Sequence, residues 1–89
     1  MTELKIASSI QADEKNVMRT YHYYLVIDSI EIEHFSRENY GIKVEEEDGE
    51  AVSIRRITPN AARIDALMSL IVRNTVSPTT FPNIVEDFL

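Results

Sequence analysis

The stretch from Tyr21 to Ile27 constrains the fold more than any other part of this chain. Its residues are mostly aromatic, β-branched or otherwise large and apolar, and such residues favour strands. Alternation along a strand places one set of side chains on a shared face, namely Tyr21, Tyr23, Leu25 and Ile27. Because Tyr24 and Val26 make the opposite face partly apolar as well, we predict a central strand with a neighbour on each edge and a helix over one side.

The size and composition of the chain narrow its class. Its 89 residues are the length of one small domain, so we expect residues 1–89 to form a single domain, with residues 1–19 as an N-terminal strand or a flexible segment. The absence of cysteine excludes disulfides and thiolate metal sites. The sequence has neither a membrane-spanning apolar run nor the apolar core of a signal peptide, so we expect a cytoplasmic protein without membrane contact.

The net charge of −6 is unevenly distributed. Residues 29–50 carry eight acidic and two basic side chains, whereas residues 55–73 carry four arginines and one aspartate. An acidic chain argues against general affinity for nucleic acid, because phosphate neutralisation needs an excess of Lys and Arg. The segment from Arg55 to Arg73 leaves a local anion site or acidic-partner site open, although a solvated surface that balances the acidic segment explains it more simply.

The N-terminal segment carries a weak strand pattern. Apolar residues alternate with polar or small ones from Leu4 to Ile10, and the polar run from Asp13 to Asn16 is typical of a turn. Residues 4–27 are therefore predicted to form a hairpin that contains the central strand. A flexible or short helical N-terminus is the alternative, because the serines and alanines of this segment favour neither structure.

Two further strands are expected after the central one. The alternation of apolar and acidic residues from Ile30 to Glu33 continues the central strand, with a bend or bulge predicted at Asp28-Ser29. The run from Ser36 to Asn39 is predicted to be a turn, and the next strand begins at Tyr40. Gly41 inside that strand indicates a bulge or the close approach of a neighbouring chain segment.

The pair Asp48-Gly49, within the acidic run from Glu45 to Glu50, is the strongest hairpin signal of the chain. It predicts a tight turn into a strand that includes residues 52–54. Lys43 before the turn and Arg55 after it are expected to lie near acidic neighbours on adjacent strands.

At Thr58-Pro59 the apolar period changes from that of a strand to that of a helix. Thr58 can cap a helix and Pro59 suits its first position, so we predict a helix over residues 59–74. Its apolar row consists of Ile64, Leu67, Met68 and Ile71. These side chains are expected to cover one face of the sheet.

A shorter helix completes the predicted fold. We place it at residues 82–88, because Pro82 disfavours helical backbone at the residue before it; a start at Pro78 is the alternative. Its apolar face consists of Ile84, Val85 and Phe88. The predicted fold class is therefore α+β, an antiparallel β-meander of about four strands followed by two helices packed on one face.

The residues that carry chemistry form no recognisable site. Two glycines cannot build a nucleotide-binding loop. His34 is close in sequence to Glu31 and Glu33, but a strand points the histidine away from both carboxylates, so we expect no metal site. The run from Glu45 to Glu50 is too short for a calcium loop, and His22 is interpreted as a sheet-surface residue. We therefore expect no cofactor and no catalytic residue, and we favour a protein that is not an enzyme.

Five short features occur in a particular order along the chain: Tyr23-Tyr24-Leu25, Tyr40-Gly41-Ile42, Gly49, Val76-Ser77-Pro78 and the ending Val85-Glu86-Asp87-Phe88-Leu89. In this combination the chain resembles a family of short bacterial proteins of unknown function, met mainly in spore-forming Gram-positive bacteria. The resemblance covers about residues 20–89 and implies a small cytoplasmic bacterial domain, with no activity, cofactor or catalytic residue. Pro82 departs from the helix former expected at that position.

The leading functional hypothesis is a non-catalytic protein-interaction module, either a small adaptor or a homodimer. The candidate binding residues form the C-terminal segment, namely Glu86, Asp87, Phe88 and Leu89. The two carboxylates oppose the dipole at the end of a helix, so we expect an arginine partner, either Arg55 or Arg56 or one on another protein. The alternatives are a small enzyme or enzyme subunit with an unrecognised site, and a nucleic-acid regulator that uses the segment Arg55–Arg73.

Overall fold

The computed structural model describes residues 1–89 and contains four strands and two helices. These are β1 (Thr2–Ala12), β2 (Met18–Ile32), β3 (Phe35–Glu46), β4 (Ala51–Thr58), α1 (Ala61–Arg73) and α2 (Phe81–Phe88). The strands form one antiparallel sheet in the order β1-β2-β3-β4, and both helices add residues to the apolar core on one face of it. The predicted α+β class, a four-stranded meander followed by two helices, is confirmed.

β2 is the central strand, because it pairs with β1 on one edge and with β3 on the other. Tyr21 and Tyr23 are buried in the core under the helices, and Val26 is buried on the opposite face of the sheet. The β1–β2 hairpin turns before Val17, and Asn16 there adopts a φ of 63°, which asparagine tolerates better than most residues. Residues 2–12 thus form a paired strand rather than a flexible or helical segment.

β2 and β3 project beyond the rest of the sheet. Past Ile27 and Tyr40 they pair only with each other, because β1 and β4 do not extend that far. Residues 28–39 therefore form a two-stranded hairpin, which we call the arm. At its tip Ile32 pairs with Phe35, and these side chains are 59% and 76% exposed. The arm makes the molecule elongated, with a longest extent of 53 Å.

Two sequence predictions fail in the arm. The turn predicted from Ser36 to Asn39 is wrong, because these residues lie in β3 and the chain turns at Glu33-His34. Both faces of a projecting two-stranded hairpin meet solvent, so its strands accept polar residues that elsewhere indicate a turn. The bulge given as one option at Asp28-Ser29 is absent, since β2 pairs with β3 through both residues without a shift. Asp28 is tolerated inside the strand because it forms an ion pair with Arg55.

Gly41 is required by the way β4 crosses β3. The register shifts between Tyr40 and Ile42, where β4 carries two more residues than β3. The resulting bulge holds Arg56 at a φ of 56° and brings the β4 backbone against Gly41. A Cβ at position 41 would lie 2.3 Å from the carbonyl oxygen of Ile54. The predicted bulge and close neighbour at Gly41 are both present.

α1 packs its predicted apolar row against the sheet. All four members of the row are buried, namely Ile64, Leu67, Met68 and Ile71. The helix is capped by Asn60, whose side chain accepts a hydrogen bond from the Arg63 N–H at 3.1 Å. The cap predicted at Thr58 is wrong, because Thr58 remains in β4 and pairs with Tyr40. Asparagine caps helices at least as well as threonine, and the helix therefore starts two residues later than predicted.

α2 begins at Phe81, one residue before the predicted start, and ends at Phe88 as predicted. A helical start at Pro78 is not observed. Pro82 lies in the first turn, where the missing backbone N–H leaves no intrahelical bond unmade. Phe81 and Val85 are the buried residues that fix α2 to the core.

The Tyr23 side chain ties the central strand to the connection between the helices. It is fully buried, and its hydroxyl donates a hydrogen bond to the carbonyl of Val76 at 2.9 Å. Burial raises the pKa of Tyr23 to about 12, because the phenolate would be poorly solvated in the core. The hydroxyl therefore satisfies a carbonyl in a segment that lies outside both helices.

Replacing Gly41 with alanine is expected to lower the free energy of unfolding by about 2–3 kcal/mol, because the new Cβ collides with backbone atoms that cannot rotate away. Gly49→Ala is the matched control: its Cβ would meet only the Glu46 side chain, at 3.2 Å or more, and should cost less than about 0.5 kcal/mol. Urea denaturation followed by circular dichroism measures both. Equal losses in the two variants would contradict the close approach of β4 to Gly41.

Tyr23→Phe is expected to cost about 1–2 kcal/mol at neutral pH, since the Val76 carbonyl loses its buried donor. Tyr24→Phe removes a surface hydroxyl and should cost less than about 0.5 kcal/mol. Because the pKa of Tyr23 is raised, its contribution is fully present below the unfolded value of about 10 and is lost as the pH rises toward 12. The alkaline loss of stability should therefore shrink in Tyr23→Phe; an unchanged alkaline profile would contradict this assignment.

Candidate functional site

The two outer strands of the sheet differ in how well they resist pairing with another chain. β4 is short, with 8 residues, and it is interrupted by the bulge at Arg56. It also carries Arg55 beside the bulge and is followed at once by Pro59. Short length, a bulge, positive charge and proline are the features that protect an edge strand from adding a further strand. The β4 edge is therefore blocked.

The β1 edge lacks most of this protection. β1 has 11 residues, and its register shift lies near its N-terminal end, between Lys5 and Ala7. Residues 7–12 then pair with β2 without interruption, and residues 6–12 contain no charged residue, no proline and no glycine. We call residues 7–12 of β1 the open edge. Its outward N–H and C=O groups form a regular row that another strand could pair with.

An apolar groove lies beside the start of the open edge, between β1 and α1 at Ile6 and Ala7. Six apolar or aromatic side chains line it, namely Ile6, Leu25, Tyr40, Ala61, Ile64 and Met68. Its volume is about 320 Å³, and Asp65 is the one charged residue in its wall. An adjoining hollow shares Ile6, Asp65 and Met68 with it and extends along α1 to Arg73. We call the two hollows together the β1–α1 groove.

The groove lies where α1 and β1 meet through side chains that do not fill the space between them. α1 contacts β1 as well as β3 and β4, and Ala7 of β1 packs against the core. Ile6 is the extra residue at the β1 register shift, and its side chain is 50% exposed at the groove. Ala61 on the helix is too small to fill the gap. Apolar surface is therefore left beside an edge strand.

The opposite face of the sheet is closed by cross-strand ion pairs. Arg55 Nε donates to Asp28 Oδ2 at 3.1 Å and Arg55 Nη2 donates to Oδ1, which lowers the pKa of Asp28 below its usual value. Lys43 pairs with Glu3 at 3.2 Å, and its ammonium lies 4.8 Å from the centre of the Tyr24 ring. Lys43 and Arg55 thus have acidic neighbours, as predicted, but each neighbour lies two strands away rather than on an adjacent strand. Their charges are satisfied within the chain.

A serine, a histidine and a glutamate adjoin on this face, but their geometry is that of ordinary strand pairing. Ser8 lies directly across from His22, and its Oγ is 2.7 Å from the histidine Nδ1. The Glu47 carboxylate is 3.6 Å from the other ring nitrogen, beyond hydrogen-bond range. This agrees with His22 as a sheet-surface residue. No group of three or more His, Asp or Glu side chains is placed to hold a metal ion.

The arginines of the segment 55–73 are divided between the two faces of the sheet. Arg55 lies on the uncovered face, where it pairs with Asp28. Arg63 projects from α1 on the other face and lies over the ring of Phe88. Phosphate binding depends on positive charges that gather on one surface, and this arrangement separates them.

The C-terminal residues named from the sequence are only partly available to a partner. Glu86 and Asp87 are exposed, and Leu89 is 72% exposed. Phe88 is half-buried: the Arg63 guanidinium lies 4.8 Å from its ring centre, and Arg63 Nη2 donates to the Phe88 carbonyl at 3.3 Å. The arginine that contacts this segment is therefore Arg63.

The prediction that Arg55 or Arg56 pairs with the carboxylates of Glu86 and Asp87 is wrong. Arg55 is held by Asp28 on the opposite face of the sheet. Arg56 sits in the β4 bulge and forms no ion pair. The actual contact also differs in kind, because Arg63 touches the ring and carbonyl of Phe88 rather than the carboxylates of Glu86 and Asp87.

Sequence reasoning missed the open edge. The signal was present in the run Ile-Ala-Ser-Ser-Ile-Gln-Ala at residues 6–12, which has strand-compatible residues and no charge. Such a run is informative only in an outermost strand, because a central strand needs no protection from pairing.

The fold and its unblocked edge define a small α+β protein with one sheet border left open. Comparison with protein families identifies it further: the family of unknown function DUF6514 matches residues 1–89, and the chain belongs to that family. The match confirms the resemblance to a family of unknown function and extends it over the first 19 residues. Comparisons with curated proteins and with solved structures found no match. Neither helix is long and apolar enough to cross a membrane.

Phe88→Ala is expected to lower the free energy of unfolding by about 1–2 kcal/mol, through lost burial and the lost contact with Arg63. Leu89→Ala, at the exposed neighbouring position, should change it by less than about 0.5 kcal/mol. A double-mutant cycle of Phe88→Ala with Arg63→Ala should give a coupling energy of about 0.5–1 kcal/mol in urea denaturation. A coupling energy near zero would contradict the Arg63–Phe88 contact.

Proposed function

We propose that this chain is a non-catalytic protein-interaction module that binds an extended segment by adding it as a strand to the open edge. The observation that carries the proposal is the contrast between the two sheet borders. β4 has a bulge, positive charge and a following proline, whereas residues 7–12 of β1 are regular and uncharged. Natural sheets usually protect such a border, so its exposure favours a role in pairing.

Strand addition would draw its affinity from main-chain hydrogen bonds and its selectivity from side chains. Each added main-chain hydrogen bond contributes roughly 0.5–1.5 kcal/mol net. Alternate side chains of an added strand project to the same face, and those on the helix side would meet the β1–α1 groove. The groove accepts apolar side chains and offers Asp65 and Arg73 as charged contacts. The preferred segment is therefore extended, with apolar residues at alternate positions.

The C-terminal segment stays a second proposal for partner binding. Glu86, Asp87 and Leu89 are exposed, and the two carboxylates form no ion pair within the chain. Phe88 serves as the fixed point of the segment, since it packs under Arg63. We also propose a bacterial, cytoplasmic setting, which is supported by the family resemblance and by the lack of cysteine.

A displayed library of random peptides tests the proposal. Selection against the wild-type chain at about 1 µM should enrich peptides with apolar residues at alternate positions. Ile10→Lys places a charge on the open edge at a side chain that is already 67% exposed, and it should weaken the binding of selected peptides by about tenfold or more. Fluorescence anisotropy with labelled peptides measures the change.

Ile32→Lys is the matched control, because it makes the same change at an exposed strand residue of the arm. It should leave peptide binding unchanged. Loss of binding in Ile32→Lys with full binding in Ile10→Lys would move the docking surface to the arm. Full binding in both variants would contradict strand addition at β1, and loss on deletion of residues 86–89 alone would favour the C-terminal segment.

A further inference from the structure

Building on the proposed strand addition, we infer that the open edge pairs with a second copy of this chain. The two β1 strands would run antiparallel about a twofold axis at Ser9 and join two four-stranded sheets into one of eight strands. A twofold axis sets equivalent residues of the two copies close together, so any charge near the axis would face an identical charge and be repelled. Residues 6–12 contain none.

The charges that flank the open edge are complementary about Ser9. Lys5 lies before Ser9 and Asp13 just after the end of β1, and the bulge at Ile6 shortens the distance on the Lys5 side by one position, so antiparallel pairing centred on Ser9 brings Lys5 of each copy beside Ala12 and Asp13 of the other. Glu3 takes no part in this match, because it pairs with Lys43 within the chain. The charges at the two ends of the open edge therefore favour antiparallel pairing with a second copy.

The charges at the two ends of the open edge are not neutralised by ion pairs within the chain. Lys5 forms no ion pair, whereas Asp13 and Glu46 share the single cation Arg19. The group of Asp13, Glu46 and Arg19 therefore keeps one unbalanced negative charge at the end of the open edge. Lys5 of a second copy would arrive at that end. The charge complementarity thus holds in the folded chain as well as in the sequence.

The same register matches large side chains with small ones. Ile10 would lie opposite Ser8 of the second copy, and Ala7 opposite Gln11. Ile10 is 67% exposed in the single chain, and its partner Ser8 is small enough to let the isoleucine pack over the joined sheet. Six residues from each copy make a small interface, so the dimer should be weak, with a Kd on the order of tens of micromolar. Self-pairing and peptide binding would then compete for one edge.

Sedimentation velocity on the full chain, from about 1 µM to about 500 µM, tests the association. The wild type should shift from monomer to dimer across this range. Ser9→Lys sets two lysines against each other at the axis and should raise the Kd by about tenfold or more. Ser53→Lys, the same change on the blocked β4 edge, should leave the Kd unchanged. A wild type that stays monomeric throughout, or equal effects of the two variants, would overturn the inference.

A disulfide tests the register without depending on the stability of Ser9→Lys. The chain has no cysteine, so Ser9→Cys introduces a single thiol. Residues that face each other across antiparallel strands have Cα atoms about 4.5–5.5 Å apart, within disulfide range. Mild oxidation should therefore cross-link Ser9→Cys into a dimer, seen on a non-reducing gel, far faster than it cross-links Ser53→Cys. Equal rates would indicate random collision and overturn the register.

Different results would contradict self-pairing of β1 and peptide docking at β1. A chain that stays monomeric and still binds selected peptides through β1 would overturn self-pairing and leave the interaction module intact. A chain that dimerises through Ser9 but whose selected peptides bind Ile10→Lys and wild type equally, at about 1 µM, would support self-pairing and contradict peptide docking at the edge.

Discussion

The hydrogen bond from the Tyr23 hydroxyl to the Val76 carbonyl is the constraint on which the helical layer depends. It joins the middle of the central strand to the connection between α1 and α2, 53 residues further along the chain. α1 packs its apolar row against the sheet, and Phe81 and Val85 of α2 complete the core. A groove remains between α1 and β1, where the small side chain of Ala61 leaves space.

The two borders of the sheet differ in whether another strand could pair with them. The face away from the helices is covered by its own cross-strand pairs, such as Arg55 with Asp28 and Lys43 with Glu3. The β4 border is interrupted by a bulge that presses on Gly41. The β1 border alone joins regular, uncharged backbone to an apolar groove. A sheet whose β4 border is blocked and whose β1 border is open is suited to binding through β1.

The candidate site could be predicted from the sequence only in fragments. Phe88 and Leu89 were predicted as binding residues because they are apolar and C-terminal, but Phe88 contacts Arg63, 25 residues away in the chain. The uncharged run of residues 6–12 was visible as a weak strand and nothing more. Neither Arg63 as a partner nor the open edge follows from local pattern, because both depend on which segments become neighbours in three dimensions.

The sequence by itself determined the elements whose burial repeats with a regular period: the central strand through Tyr23, the row of α1 around Leu67, and the order of strands and helices. Tertiary structure decided the rest. It placed a strand at residues 36–39, whose polar composition reflects solvent exposure rather than a turn, and it left an apolar groove beside β1. Periodicity records how often a side chain meets the core, whereas pairing and edges are set by contacts between residues distant in the chain.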